Sequence, residues 1–468
     1  MKIEQFYTGC LSQGAYYIES DGQAAVIDPL REVQSYLDLA NSRNASIKYI
    51  FETHFHADFV SGHITLSKKT GAPIVFGPLA SPNFDSIIAQ DMQVFEIGTI
   101  KIKVLHTPGH TMESTTYLLI DEEGKDHAIF TGDTLFLGDV GRPDLAQKAA
   151  NMTQDQLAGL LFQSLRSKIM TLSDDIIVYP GHGAGSACGK FMSKETVGTL
   201  GHEKQTNYAL RENMTKKEFI DEVTNGLQAP PAYFPHNVKL NKEGYEDIDH
   251  ILKNRSKALN VSEFENLKNE TDAIILDVRH QKEFSASHIP NSIFVGLDGS
   301  FAPWVGAILK DVNQAILLLT PQERTEETIT RLSRVGFDNV LGYLEGGIHA
   351  WKEANKPTDC VNTISAEDFA SLKVNHPIHV IDVRKVSEFE NSHIKDALNI
   401  PLSQINSHFH SLSTDTDNYV HCAGGYRSMI ANSVLKSKGI HNVVDVLGGF
   451  SAIKSTDTPI ITTSLTNL

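Results

Sequence analysis

Four strand-like runs in the first half of the chain each end on residues that can hold a metal ion. They are YIFETHFH, ending on His54 and His56, IKVLHTPGH on His110, AIFTGD on Asp133 and IIVYPGH on His182. Loops at strand ends bring distant residues together on a rigid frame, which is where α/β folds place chemistry. Imidazole and carboxylate groups at such places suit a divalent transition metal. Any one of these histidines alone reads as a polar loop residue, whereas the four segments in order point to a metal centre. The first of them continues as THFHADF, with Asp58 close by and Phe59 where a His-x-His-x-Asp-His signature would end in histidine.

A second chemistry is written in NYVHCAGGYRS, where Cys422 follows a strand-like run and precedes the helical ANSVLKSKG. Gly424 and Gly425 permit backbone angles that turn N–H groups inward. Those donors, the N-terminus of the following helix and Arg427 favour a thiolate at Cys422. A free cysteine, with a pKa of ~8.5, is only a few per cent thiolate at neutral pH. A loop of this kind therefore provides a nucleophile, and it would equally hold a negatively charged cysteine persulfide.

The elements that must position these residues show an internal repeat. LDVRHQKEFSASHIPNS, from Leu276, matches IDVRKVSEFENSHIKDA, from Ile381, at an offset of 105, and Gly346-Gly347 matches Gly448-Gly449 at an offset of 102. In both copies apolar runs alternate with helix-like stretches, the pattern of a parallel-sheet α/β domain. The offset of 102 sets Thr320 opposite Cys422, within TPQERT. That loop has no glycine and no thiol, and Pro321 lacks an N–H, so its anion cradle should be degraded. The middle copy reads as catalytically inactive. Asp277, Arg279 and His288, with their counterparts Asp382, Arg384 and His393, then read as structural. Three domains are expected, at 1–240, 256–358 and 362–468, with the Pro-rich PPAYFPHNVKLNKEGY closing the first and NKPTDCVNT linking the last two.

Bulk composition is that of globular material, with 41% hydrophobic and 21% charged residues in 468. No apolar run reaches the roughly 18 residues of a membrane span, and the N-terminus MKIEQFYTGCLSQG has neither the basic nor the apolar region of a signal peptide. A net charge of -16 argues against nucleic acid and anionic membranes as partners. Four scattered cysteines, Cys10, Cys188, Cys360 and Cys422, fit a reducing cytoplasm. A homo-oligomer is expected.

Over about residues 1 to 235 the combination THFHAD, TPGHT, TGDT and YPGHG resembles the metallo-β-lactamase superfamily, most closely its glyoxalase II and persulfide dioxygenase branches. The resemblance implies an αββα sandwich with the metal at the edge of two sheets. A dinuclear member would use His54, His56 and His110 for one ion, and Asp58, residue 59 and His182 for the other, with Asp133 bridging. Phe59 offers no lone pair, which disfavours the second ion and the two-metal hydrolysis it serves. Persulfide dioxygenases resemble this chain in using the positions of His54, His110 and Asp133 for one Fe(II). Such a two-His-one-carboxylate set leaves positions free for substrate and O2. His56, Asp58 and His182 would then orient ligands or bound water. In GDVGRPDL, Arg142 stands where persulfide dioxygenases carry an arginine near the thiol substrate, and a surface ion pair is the other reading of it. Cys188, in GHGAGSACGK, is a possible auxiliary thiol or a small buried residue.

Residues 362 to 468 resemble a rhodanese sulfurtransferase, with a six-residue loop from Cys422 to Arg427 in which Gly424, Gly425 and Tyr426 would line the sulfur site. The whole resembles the CstB-type fusions of persulfide dioxygenase to tandem rhodanese domains. That resemblance implies oxidation of a glutathione- or coenzyme A-type persulfide by O2 to sulfite, coupled through Cys422 to thiosulfate, in sulfide detoxification. A glyoxalase-II-like thioester hydrolase joined to a sulfurtransferase, and a sulfur carrier with a vestigial metal domain, are the rival readings.

Overall fold

The structure, a computed structural model, describes residues 1–227, 229–321 and 323–462, so Gln322 of the TPQERT loop lies outside the described residues. The chain forms two compact units, one of residues 1–250 with 333–336 and one of residues 251–332 with 337–468.

The first unit is built on two six-stranded sheets. One contains β1 (Lys2–Thr8), β2 (Gln13–Ser20), β3 (Gln23–Ile27), β4 (Ser46–Glu52), β5 (Ile74–Phe76) and β6 (Ile87–Ile88), in that spatial order. The other contains β7 (Val94–Ile97), β8 (Ile100–His106), β9 (Thr115–Ile120), β10 (Asp126–Gly132), β11 (Ile177–Pro180) and β12 (Gly198–Thr199), also in chain order. Alternating side chains give each sheet two apolar faces. Inner faces meet in a core of Tyr16, Ile18, Phe51, Ile102, Val104, Tyr117 and Phe130. Outer faces are covered by the helix Gln34–Ser42 on one side and by the helices Gln154–Ser164 and Lys216–Thr224 on the other. The result is the αββα sandwich that the sequence resemblance implied.

The Pro-rich stretch expected to close this domain forms a helix, Phe234–Glu243, with Pro235 in its first turn. Proline costs nothing there, because first-turn N–H groups have no intrahelical partner.

The second unit holds two parallel sheets with one topology. β13 (Ala258–Leu259), β14 (Ile274–Asp277), β15 (Ile293–Phe294), β16 (Ile316–Leu319) and β17 (Val340–Leu344) lie in the order β13-β17-β16-β14-β15. β18 (Asn362–Ile364), β19 (His379–Asp382), β20 (Ser392–Ile394), β21 (Leu398–Asn399), β22 (Asn418–His421), β23 (Val443–Val446) and β24 (Ile460–Thr462) follow. Five of these repeat the arrangement as β18-β23-β22-β19-β21, and β20 pairs with β24. The repeat read in the sequence has the same local contacts in both copies. Arg279 clasps Asp277 and Arg384 clasps Asp382 through bidentate buried pairs. His288 stacks on Phe284 at 4.0 Å and His393 on Phe389 at 3.9 Å. These groups do structural work in the copy with a thiol and in the copy without one. Among the described residues no helix is long and apolar enough to cross a membrane.

Candidate metal centre and thiol loop

The metal-type residues all lie just beyond strand ends on one edge of the sandwich. His54 and His56 follow β4, His110 follows β8, Asp133 directly follows β10, and His182 follows β11. Parallel pairing of β10 with β11 brings Asp133 beside His182, and the backbone bond from Thr115 N to Thr53 O joins the two sheets at this edge. Close packing here requires glycine, because a Cβ on Gly181 would lie 2.8 Å from Asp133 Oδ1.

Among the described residues three buried clusters result, each with ligand atoms within 4.8 Å of one another: His54, His110 and Asp133; Asp58, His182 and Cys188; and Asp28, Glu52 and His56. The first fits a metal ion on its own chemistry. His54 Nδ1 bonds to Thr53 Oγ1 at 2.9 Å and His110 Nδ1 to the Arg142 carbonyl at 2.9 Å, which leaves each Nε2 as the free donor. Asp133 Oδ2 is buried with no hydrogen-bond partner among the described residues. Burial would raise the Asp133 pKa, but the imidazoles of His182, His110 and His54 hold it far below the usual carboxylate range. Burial, with His56 nearby, pushes His54 well below the ordinary histidine value, so it is a neutral donor. This set would hold one ion with two nitrogens and one carboxylate.

His56 faces elsewhere. Its Nε2 lies 3.1 Å from Asp28 Oδ1 and 3.4 Å from Glu52 Oε2, and its ring packs on Phe59 with centroids 4.4 Å apart. Although burial opposes it, Asp28 and Glu52 raise the His56 pKa to about 10. Asp28 also accepts from Thr53 N and Thr53 Oγ1 at 2.8 Å each. One carboxylate therefore orients His54, through Thr53, and His56 directly. Glu52 in turn accepts from Ser61 Oγ at 2.6 Å.

His182 bridges two carboxylates, with Nδ1 2.7 Å from Asp133 Oδ1 and Nε2 2.7 Å from Asp58 Oδ2. Burial disfavours its cation, but Asp133 and Asp58 outweigh it and raise the pKa well above the ordinary value. Cys188 is buried beside this pair, and burial together with Asp58 and Asp133 keeps its thiol protonated. The Arg142 guanidinium makes a bidentate pair with Asp144 at 2.7 Å and reaches Ala187 O at 3.1 Å. Its backbone N–H bonds to Cys188 O at 3.0 Å, so Arg142 ties the Cys188 loop to the His110 carbonyl contact.

Sequence reasoning missed Asp28, Glu52 and Asn241. Asn241, on the helix Phe234–Glu243, donates to His56 O and Phe59 O and accepts from Ser61 N, all at 2.8 Å. It pins the whole HFHADFVS turn from a point 180 residues along the chain. Glu52, an acid immediately before Thr53-His54 at the end of an apolar strand, was the one available signal.

In the second unit Cys422 is buried at the end of β22, and Gly425 N–H donates to its Sγ at 3.1 Å. Only Gly425 of the two loop glycines takes a left-handed angle, φ 104°. Arg427 is held by Glu388 through a bidentate pair of 2.6 and 2.9 Å, so its charge reaches the loop from a fixed seat. The Tyr426 hydroxyl donates to Gly296 O at 2.6 Å, so it is turned to the middle copy. In the middle copy Thr320 Oγ1 and Thr325 Oγ1 share a hydrogen bond at 3.0 Å.

Residues 8–182 match the metallo-beta-lactamase superfamily, and residues 260–354 and 365–456 each match the rhodanese-like domain. The crystal structure of a metallo-beta-lactamase from Staphylococcus aureus subsp. aureus COL is 33% identical at a TM-score of 0.65, covering 73% of this chain and 98% of that one. The chain belongs to the metallo-beta-lactamase superfamily. In this superfamily member the metallo-beta-lactamase domain is followed by two rhodanese-like domains. The cytoplasmic hydroxyacylglutathione hydrolase of Arabidopsis thaliana is 32% identical over 195 residues, 39% of this chain and 67% of that protein. ETHE1 from Myxococcus xanthus is 28% identical at a TM-score of 0.45, over 52% of this chain and 98% of that one.

Proposed function

We propose that the metallo-beta-lactamase domain oxidises a low-molecular-weight persulfide with O2, and that the last domain moves sulfane sulfur between sulfite and thiosulfate through Cys422. The observation that carries this reading is the ligand set of two imidazoles and one carboxylate, with His56 drawn onto Asp28 and Glu52 and no donor at Phe59. Such a set suits Fe(II), which when bound would supply open positions for the substrate sulfur and O2. The balanced reaction is RSSH + O2 + H2O → RSH + SO3²⁻ + 2 H⁺. Around it the chain's own residues orient His54 through Thr53 and Asp28, orient His110 through the Arg142 carbonyl, and keep a protonated His182 against Asp133. In the last domain, attack of the Cys422 sulfur on the outer sulfur of thiosulfate forms the cysteine persulfide and releases sulfite. The reverse step rebuilds thiosulfate. Joining the modules in one chain raises the effective concentration of one at the other.

A second reading, thioester hydrolysis at two metals, is favoured by the Asp58, His182 and Cys188 cluster, in which a thiol stands in for the donor lost at position 59. The hydroxyacylglutathione hydrolase name of the Arabidopsis relative lies on the same side. Only Nδ1 of His182 is held by a hydrogen bond, to Asp133, so this cluster offers one nitrogen and one carboxylate beside a thiol that burial keeps protonated, which weighs against it. Metal content and O2 uptake separate the two. One iron per chain with persulfide-dependent O2 consumption, across a panel of glutathione and coenzyme A persulfides, is expected. Two zinc ions, thioester turnover and no O2 uptake would sink the dioxygenase reading.

A further inference from the structure

The middle copy has no thiol, yet its loop 296–299 lies against the loop of the copy that has one. Tyr426 belongs to the six-residue segment from Cys422 to Arg427 and follows Gly425, whose N–H faces Cys422 Sγ at 3.1 Å. Its hydroxyl donates to Gly296 O at 2.6 Å. The ring occupies a notch that exists because two residues of the middle copy are glycine. A Cβ on Gly299 would lie 2.5 Å from Tyr426 Cζ, and one on Gly296 3.1 Å from Tyr426 Cε2.

The notch is itself rigidly held. Val295 N and Leu297 N bond to Asp277 O and Val278 O at 3.0 Å each, and the Arg331 guanidinium donates to Leu297 O. Asp277 is the acid clasped by Arg279, so the structural pair kept in the middle copy also presents this loop. The helix Tyr426–Ser437 that follows the thiol loop is buried from Ser428 to Lys436. A helix with no polar face left to solvent is enclosed on both sides. Its second cover is again the middle copy, where Phe294 N donates to Ser433 Oγ at 2.9 Å, and the linker that follows it, where Asp359 pairs with Lys436 at 3.0 Å.

We propose that the middle domain is the positioning half of the sulfurtransferase site: its Gly296–Gly299 notch clamps Tyr426 and thereby fixes the backbone that aims the Gly425 N–H at Cys422 Sγ. The inference rests on Cys422 being the sulfur carrier. Tyr426 acts through the loop, with its hydroxyl and ring spent on Gly296 and Gly299.

The test uses the full iron-loaded chain in thiosulfate-to-cyanide sulfur transfer, with Cys422→Ser, Gly299→Val, Tyr426→Ala and Tyr426→Phe variants. Displacing a reacting group by an ångström costs up to about 100-fold. Gly299→Val and Tyr426→Ala are therefore expected to lower kcat about 10- to 100-fold, with KM for thiosulfate and the iron content little changed. Tyr426→Phe, which keeps the ring and loses one hydrogen bond, is expected to lose about two- to tenfold. Because both large changes break the same clamp, the Gly299→Val/Tyr426→Ala double variant should be no slower than either single one. Parental kcat in Tyr426→Ala, or losses that multiply in the double variant, overturns the clamp. If Gly299→Val does not fold, the ordering of Tyr426→Ala, Tyr426→Phe and parent decides alone. Activity surviving in Cys422→Ser would instead overturn the carrier reading on which the clamp rests.

Discussion

Phe59 lies flat enough on His56, at 4.4 Å between ring centroids and 34° between planes, to serve as the floor of that histidine's seat. The residue that withholds a ligand from one metal position thus also keeps a neighbouring imidazole on Asp28 and Glu52. On the one-iron reading proposed above, Phe59→His is expected to raise metal content from one towards two ions per chain, measured by elemental analysis. Without added metal the buried imidazole has no partner, and a loss of about 1–3 kcal/mol in stability is expected.

Asn241 is the remote pin of the same turn. Asn241→Leu removes three hydrogen bonds and leaves Ser61 N and the carbonyls of His56 and Phe59 without that partner. Groups that orient metal ligands typically matter by ~10- to 100-fold in metal affinity. Competition with a chelator should show a loss of that size at the metallo-beta-lactamase domain, with sulfur transfer at Cys422 unchanged.

Cys422→Ser is expected to abolish sulfur transfer and leave persulfide-dependent O2 uptake intact, since the metal cluster and the thiol belong to different compact units. Loss of both activities would contradict separate sites.

Asp445, on β23, is buried, and that burial pushes its pKa up to about 7. Unfolded, it titrates near 3.8. Between these values the folded state holds a proton that the unfolded state has lost, so the contribution of this residue to stability falls as pH rises from about 4 to about 7, then levels off. Asp445→Asn removes that dependence. Denaturant unfolding of the second unit should find the variant stabilised relative to parent by up to a few kcal/mol at about pH 8, with the advantage gone at about pH 4.

The donors of the metal centre were legible because each sits at the end of an apolar run, where the switch from strand to loop is itself a sequence signal. Cys422 was legible for the same reason, and the repeat gave away two domains of one kind. The partners that aim those donors carried no such mark. Asp28 directly follows β3, 26 residues before His54, and Asn241 sits in a stretch that reads as Pro-rich and closing the domain. Tyr426 reads as part of a sulfur pocket from its place in the six-residue loop, whereas the partners of its ring, Gly296 and Gly299, are small residues in a domain that reads as chemically silent. Side chains that touch across long separations leave no periodicity to read.

The two rhodanese-like copies share the Asp–Arg clasp and the His–Phe stack down to a tenth of an ångström in the latter. What holds such a unit up and what makes it reactive are therefore separate inventories. Grafting a thiol loop onto residues 320–325 would ask nothing new of the frame beneath it. The middle copy keeps the frame of its neighbour without the thiol loop, and it spends that frame on holding the neighbour still.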